Sequence, residues 1–278
     1  MTTNALNLSN LRLAVLIDAE NVPRNCIKRV IEEIAIYGTP TIKRIYGDWT
    51  SPVVSGWKAS LLENAITPIQ QYSYTHGKNS SDSAMIIDAM DILYTDKTDG
   101  FVLVSSDSDF TRLAIRLREA GQRVIGIGER KTPSAFIAAC DKFTYIEVIH
   151  ERFAEADAVA NSEHGDQNEV GAQNEHQPQS LHRNGSHHYA KHENGKVPDS
   201  VIELIADSVA DLAGDSGSVF MGELGNLILK KQPDFDHRNF GYKSLSAMIK
   251  SLDRFDVDFR QTTDPNIKHP YVRDKESH

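Results

Sequence analysis

Leu13-Ala14-Val15-Leu16-Ile17-Asp18-Ala19-Glu20-Asn21 is the stretch that decides the fold. Five consecutive apolar residues suit a strand covered on both faces, because a strand with one wet face would alternate. The run ends in an acid, and Pro23 then opens a helix at its first turn, where proline is tolerated. Phe101-Val102-Leu103-Val104-Ser105-Ser106-Asp107-Ser108-Asp109-Phe110 repeats the pattern: a buried strand, an acid, a helix start.

Working outward, strands and helices alternate over residues 11–148. The helix after Pro23 carries Ile27, Val30, Ile31, Ile34 and Ala35 on one face and ends at Gly38 and Pro40. Thr41–Tyr46 reads as a strand, Val53–Asn64 as a helix and Ile66–Tyr72 as a strand. Asp82–Tyr94 is the next helix and Phe101–Val104 the next strand. Phe110–Ala120 is a helix stopped by Gly121, Arg123–Gly126 a strand, Pro133–Ala139 a short helix and Tyr145–Val148 a final strand. Such alternation implies right-handed crossovers and an α/β domain, a mainly parallel sheet covered by helices.

In such a sheet ligands bind outside the carboxyl ends of the strands. That is where Asp18, Asp82, Asp107 and Asp109 are expected, with Asn21 placed to hydrogen-bond Asp18 or a substrate phosphate. Gathered acids repel one another unless a cation neutralises them. Mg²⁺ or Mn²⁺ suits an all-oxygen donor set, and carboxylate-held metal is apparatus for phosphodiester hydrolysis. Each acid also has a plainer reading. Asp18 can cap or turn, Asp82 can cap its helix, and Asp107 or Asp109 can cap the helix from Phe110.

Ser105 and Ser106 could offer hydroxyls to a phosphate near that helix start. Lys78 could contact a phosphate or be a solvated loop lysine, and Arg130 and Lys131 pose the same choice. Tyr46 and Trp49 could stack on a base or pack in the core. Asp88, deeper in the helix from Asp82, could support the site.

Composition bounds the rest. The net charge of −9 divides into −1 over residues 1–150, −4 over 151–196 and −4 over 197–278. The first part is near neutral while some of its acids would serve a cation, so basic patches remain available to phosphates. Cys26 and Cys140 sit in helical patterns and read as small buried hydrophobes. No run is apolar enough to span a bilayer and no leader is evident, so no membrane association and a cytoplasmic location are expected.

Residues 151–196 hold six of the eleven histidines and few large apolar groups. They read as a disordered polar linker, with no standard zinc spacing among His164, His176, His182, His187, His188 and His192. Residues 197–278 regain helical periodicity over Val197–Leu212, Val219–Lys231 and Gly241–Leu252. A strand pair, Phe255–Arg260 and Ile267–Arg273, follows around Asp264-Pro265-Asn266. Three helices and a β-ribbon make a winged-helix pattern; Lys230, Lys231, Arg238, Lys243 and Lys250 there form a solvated charged face or, on the resemblance given below, are candidate phosphate contacts.

Residues 11–148 resemble the NYN domain, a PIN-like nuclease fold of the LabA-like group. The likeness rests on Leu16-Ile17-Asp18-Ala19-Glu20-Asn21, on Gly77-Lys78-Asn79-Ser80-Ser81-Asp82 leading into Ile87-Asp88-Ala89-Met90-Asp91, and on Val104-Ser105-Ser106-Asp107-Ser108-Asp109-Phe110. It implies metal-dependent ribonuclease chemistry, with Asp18, Asp82 and Asp107 as the metal-holding acids and Asn21 and Asp109 in support. Lys78 stands four residues before Asp82, where the family often has a shorter Lys-Gly-x-Asp spacing. The region after residue 197 resembles the OST-HTH/LOTUS domain, through Phe220-Met221-Gly222-Glu223-Leu224-Gly225 and Phe240-Gly241-Tyr242-Lys243-Ser244-Leu245-Ser246-Ala247-Met248-Ile249. That likeness implies binding of RNA, with Lys230, Lys231 and Lys243 among the contacts, or docking of a protein partner.

Two functional classes follow. One is a metal-dependent endoribonuclease whose second domain recruits RNA. The other is an RNA-binding or scaffolding protein with little catalytic output. A phosphotransferase of the aspartyl-phosphate type would want Asp-x-Asp after the first strand, where this chain has Asp18-Ala19-Glu20. A receiver domain would want an acid after the third strand, where Ile69-Gln70-Gln71-Tyr72 offers none.

Overall fold

The computed structural model describes residues 11–72, 80–151, 197–214, 217–261 and 268–276. The polar segment 152–196 with its histidines, Lys78 and the ribbon turn at 264–266 lie outside the described residues. Six strands form one sheet: β1 (Arg12–Asp18), β2 (Thr39–Gly47), β3 (Thr67–Gln70), β4 (Gly100–Val104), β5 (Arg123–Gly128) and β6 (Lys142–Tyr145). Their order is β3-β2-β1-β4-β5-β6, every neighbouring pair parallel. The chain builds outward from β1 to β3, then crosses back to start β4 on the other side of β1. The reversal of winding leaves a crevice at the carboxyl ends of β1 and β4.

β1 is the centre of the domain, and Leu13 through Ile17 are fully buried. Strand alternation sends Leu13, Val15 and Ile17 into one layer and Ala14 and Leu16 into the other. The first layer is closed by α1 (Ile27–Ile34), α2 (Lys58–Glu63), Ile146 and Ile149. The second is closed by α3 (Ser80–Tyr94), α4 (Thr111–Glu119) and α5 (Ser134–Ala139). Asp18 has the parity of Leu16, so its carboxylate belongs to the layer in which α3 begins.

The expected alternation is present, with two changes. The last strand is Lys142–Tyr145 rather than Tyr145–Val148, and residues 146–151 are helical. Ile146 and Ile149, three apart, are the positions that face the core, which is helical rather than strand spacing. The segment read as one helix from Val53 is a 3-10 helix, Pro52–Trp57, before α2. Both cysteines are buried free thiols, and burial pushes each up to about 12, as inert core residues require.

The C-terminal region has helices Asp199–Leu212, Met221–Lys231 and Leu245–Lys250, with a 3-10 turn at His237–Phe240. Beside them lies a small antiparallel sheet of order β7-β9-β8, made by β7 (Val219–Phe220), β8 (Phe255–Gln261) and β9 (Lys268–Asp274). Its own core includes Ile205, Leu224, Ile228, Met248 and Val272.

Segment 233–238 of this region packs on the edge strand β6. The Phe143 N–H donates to the Pro233 carbonyl (2.8 Å) and the Tyr145 hydroxyl to Asp234 Oδ2 (2.7 Å). Arg238 lies between the two halves of the chain. Its Nη1 and Nη2 donate to Glu33 on α1 (3.0 and 2.7 Å), and Nε and Nη2 donate to Asp236 (2.9 and 2.7 Å). Tyr37 donates to Glu33 from below (2.7 Å), and Lys142 stands 3.9 Å from Asp236. Arg238, a candidate phosphate contact by sequence, is instead an internal clamp.

Candidate active site

Asp18 closes β1 with only 2% of its surface exposed. Three donors hold it: the Glu20 amide on Oδ1 (3.0 Å), and the Asn21 side-chain amide (2.8 Å) and Ser105 hydroxyl (2.9 Å) on Oδ2. Both oxygens are thus oriented from β1's own exit turn and from the end of the neighbouring strand β4. The Ser105 oxygen also accepts from the Asp107 amide (3.1 Å), so one buried hydroxyl joins the acid of β1 to the acid after β4.

Asp107 turns the chain out of β4. Its Oδ1 accepts from the Asp109 amide (2.9 Å) and caps the 3-10 turn Ser108–Phe110 that leads into α4. The Asp-x-Asp spacing across that turn puts both carboxylates on the rim. Asp82 comes from the first turn of α3, where an acid is favoured by the helix dipole. Asp82, Asp107 and Asp109 each offer an oxygen, and these oxygens lie within 4.8 Å of one another. The Asp82 carboxyl is pushed up to about 6, first by burial and then by the negative charges of Asp18, Asp107, Asp109 and Glu20. Without a cation, therefore, Asp82 gives up its proton less readily than an ordinary aspartate. An all-carboxylate set of this kind suits a hard divalent ion.

The tight cluster differs from the set first expected for a metal, which was Asp18, Asp82 and Asp107. Asp109 stands in the cluster, while Asp18 is close enough for its charge to act on Asp82 and accepts hydrogen bonds from three donors. Asn21 does hydrogen-bond Asp18. Ser105 and Ser106, expected to face a phosphate, are committed inward: Ser106 Oγ accepts from the Glu129 amide (2.9 Å) and ties the exit of β5 to that of β4. Gly128 permits this approach, since a Cβ there would stand 2.6 Å from the Ser105 carbonyl.

Several other candidates have partners within the fold. Asp88 is ion-paired to Arg44 and takes the Tyr46 hydroxyl, so all three belong to the packing of α3 on β2. Trp49 donates its indole N–H to the Ile69 carbonyl (2.9 Å) and leans on the core. Arg130 lies over the Tyr145 ring at 5.5 Å, and Lys131 pairs with Glu129. In the C-terminal region Lys231 pairs with Asp211 (2.7 Å). Ser105 is a positioning residue, joining Asp18 to the Asp107 amide. Its signal was a hydroxyl directly after a strand buried on both faces, where a solvated serine has no place.

Residues 12–147 match the family model of the NYN domain, and residues 196–267 that of the OST-HTH/LOTUS domain. The chain thus belongs to the NYN-domain proteins and carries an OST-HTH/LOTUS domain after it. NYN domains are of the PIN-like nuclease superfamily, and OST-HTH/LOTUS domains imply RNA binding. Among solved structures, a protein of unknown function from Vibrio parahaemolyticus RIMD 2210633 is 20% identical, with 52% of this chain and 96% of that one covered and a TM-score of 0.43. An uncharacterised protein from Nitrosomonas europaea is 29% identical, with 37% and 95% covered and a TM-score of 0.27. No curated protein matches the chain. Among the described residues no helix is long and apolar enough to cross a membrane.

Proposed function

We propose that this NYN protein is a metal-dependent endoribonuclease that hydrolyses RNA phosphodiesters and that its OST-HTH/LOTUS domain binds the RNA. The observation that carries the reading is the cluster of Asp82, Asp107 and Asp109 at the switch point between β1 and β4. Asp82, Asp107 and Asp109 are the residues that would hold Mg²⁺ or Mn²⁺. When bound, such an ion supplies neutralising charge and activates water for attack on phosphorus.

The chain's own groups prepare that site. Asp18, fixed by Asn21, Ser105 and the Glu20 amide, sets a negative charge near the cluster and is held against rotation. Ser105 locks the spacing between the exits of β1 and β4. Burial and the surrounding acids make the Asp82 carboxyl easier to protonate than an ordinary aspartate, and a cation held by the cluster would offset that repulsion. Lys78 and, on the second domain, Lys230, Lys231 and Lys243 would meet phosphates along the strand. Residues 1–150 and 197–278 are the two functional units in this reading, acting in the cytoplasm.

The test is incubation of the full chain with single-stranded and with structured RNA, in Mg²⁺, in Mn²⁺ and in chelator. Metal-dependent cleavage supports the reading. Tight RNA binding with no cleavage in either metal would instead establish an RNA-binding scaffold.

A further inference from the structure

The small sheet of the C-terminal domain has one face in the core and one turned away from it. Val219, Val257 and Val272 are in register with one another and pack inward. Phe220, Tyr271, Arg260 and His269 have the opposite parity, and cross-strand pairing sets Phe220 beside Tyr271 and Arg260 beside His269. On this outer face the Phe220 and His269 rings stack, with centroids 5.0 Å apart and planes 27° from parallel. Phe220 also meets Tyr271 at 5.9 Å. The Arg260 guanidinium lies 4.3 Å over the Tyr271 ring and is steadied by the Ser218 hydroxyl (2.6 Å).

The charges single out Arg260. Of the domain's four arginines, Arg238 is bound to Glu33 and Asp236, Arg254 to Asp274, Glu203 and Glu276, and Arg273 to Asp256. Arg260 alone has a ring and a hydroxyl instead of a carboxylate among the described residues. Asp258 is the acid opposite Tyr271, and it forms no ion pair with Arg260 there. A guanidinium held over an aromatic ring keeps its charge and its remaining donors for an incoming anion. Three neighbouring rings with such a cation are the elements that grip unpaired bases and the phosphates between them.

We infer that the outer face of this ribbon, centred on Tyr271 and Arg260, is a stacking platform for single-stranded RNA. Bases lie on the aromatic rings, and Arg260 takes an intervening phosphate. The inference rests on the RNA-binding reading of the domain and says where and how the strand is held. It differs in kind from the lysine contacts, which touch the backbone only and would not distinguish a strand that has bases from one that lacks them.

The test uses the full chain in chelator, with binding followed by fluorescence anisotropy. The probes are a labelled single-stranded RNA of about twelve nucleotides, the same strand with abasic sugars in its middle, and a duplex of equal length. The wild type should prefer the intact single strand over both others. Tyr271→Leu and Arg260→Gln should each weaken the intact strand about tenfold, while Tyr271→Phe, which keeps the ring, should stay close to wild type. Tyr271→Leu should also lose its preference for the intact strand over the abasic one. Thermal melts of each variant show that the ribbon is still folded, and the exposed Arg260→Gln stands as evidence if Tyr271→Leu fails that check. Equal affinity of the wild type for intact and abasic strands overturns the platform, as does unchanged binding by folded Arg260→Gln and Tyr271→Leu proteins. Both results leave RNA binding by the lysines standing. A wild type that binds no RNA removes the RNA reading itself.

Discussion

Arg238→Met is the substitution whose consequence the structure defines most sharply. It removes a cation that donates to Glu33, 1% exposed, and to Asp236, 6% exposed. Were the two halves of the chain to stay packed, two carboxylates would face each other in the interior with Lys142 and the His237 ring, each 3.9 Å from Asp236, left beside them. Removing one partner of a buried ion pair costs about 3–5 kcal/mol. Separation of the halves hydrates both acids, so the cost falls on docking: the docking equilibrium constant should drop by roughly two hundred- to five thousand-fold. The Phe143 amide reports the event directly, because it donates to the Pro233 carbonyl across the junction. Hydrogen exchange at Phe143 should accelerate by roughly a hundredfold or more in Arg238→Met, while amides in β1 keep their protection. Adding Glu33→Gln to Arg238→Met should recover part of the loss, since one uncompensated charge disappears, and the double-mutant cycle should show coupling well above about 0.5 kcal/mol. Unchanged protection at Phe143 in a folded Arg238→Met protein, or a cycle with no coupling, would refute the clamp.

Three further outcomes follow from the acidic site and the domain junction. Asp82 has a folded pKa raised from 3.8 to about 6, so its favourable contribution is fully present below about pH 3.8 and is lost as the pH rises through about 6. In chelator the melting temperature should therefore fall across that window, with the slope reduced in Asp82→Asn and with added Mg²⁺ restoring stability chiefly above pH 6; an identical slope in wild type and variant contradicts the assignment. Ser105→Ala takes a donor from buried Asp18 and an acceptor from the Asp107 amide, and should cost about 1–3 kcal/mol of stability by denaturant titration and slow RNA cleavage; a neutral result on both counts would remove Ser105 from the site's framework. Deleting residues 197–278 should weaken affinity for long RNA and flatten its salt dependence more than it slows cleavage of a short oligonucleotide at saturation; it should also promote self-association through the uncovered β6 edge, measured by sedimentation. Equal affinity and salt slope in the truncated protein would mean that the second domain does not recruit RNA.

The fold was legible because its signals are local. A run such as Leu13–Ile17 admits few structures besides a strand buried on both faces, and a helix pattern between two such runs dictates a parallel pairing. The same locality placed Asp18, Asp107 and Asp109 at strand exits. What stayed hidden depends on partners far apart in sequence. Nothing near Ser105 shows that its hydroxyl reaches Asp18, 87 residues earlier, and nothing near Arg238 shows Glu33, 205 residues earlier. The displaced final strand is a matter of short-range ambiguity. Residues 142–149 carry apolar groups at both strand and helix spacings, and packing of Ile146 and Ile149 into the layer beneath β1 decides for the helix. Asp88, Tyr46 and Trp49 show the converse: residue types suited to a site are used for packing when a neighbour satisfies their polar atoms.

Cleavage of a circular single-stranded RNA by the full chain and by Asp107→Asn tests the central claim most directly, because a circle has no end for an exonuclease to enter. The substitution removes one charge from the cluster of Asp82, Asp107 and Asp109 with little change of volume. The wild type should linearise the circle in Mg²⁺ or Mn²⁺ and not in chelator, and folded Asp107→Asn should be slower by about a hundredfold or more. Linearisation that persists in chelator, or that Asp107→Asn carries out at the wild-type rate, would contradict the account.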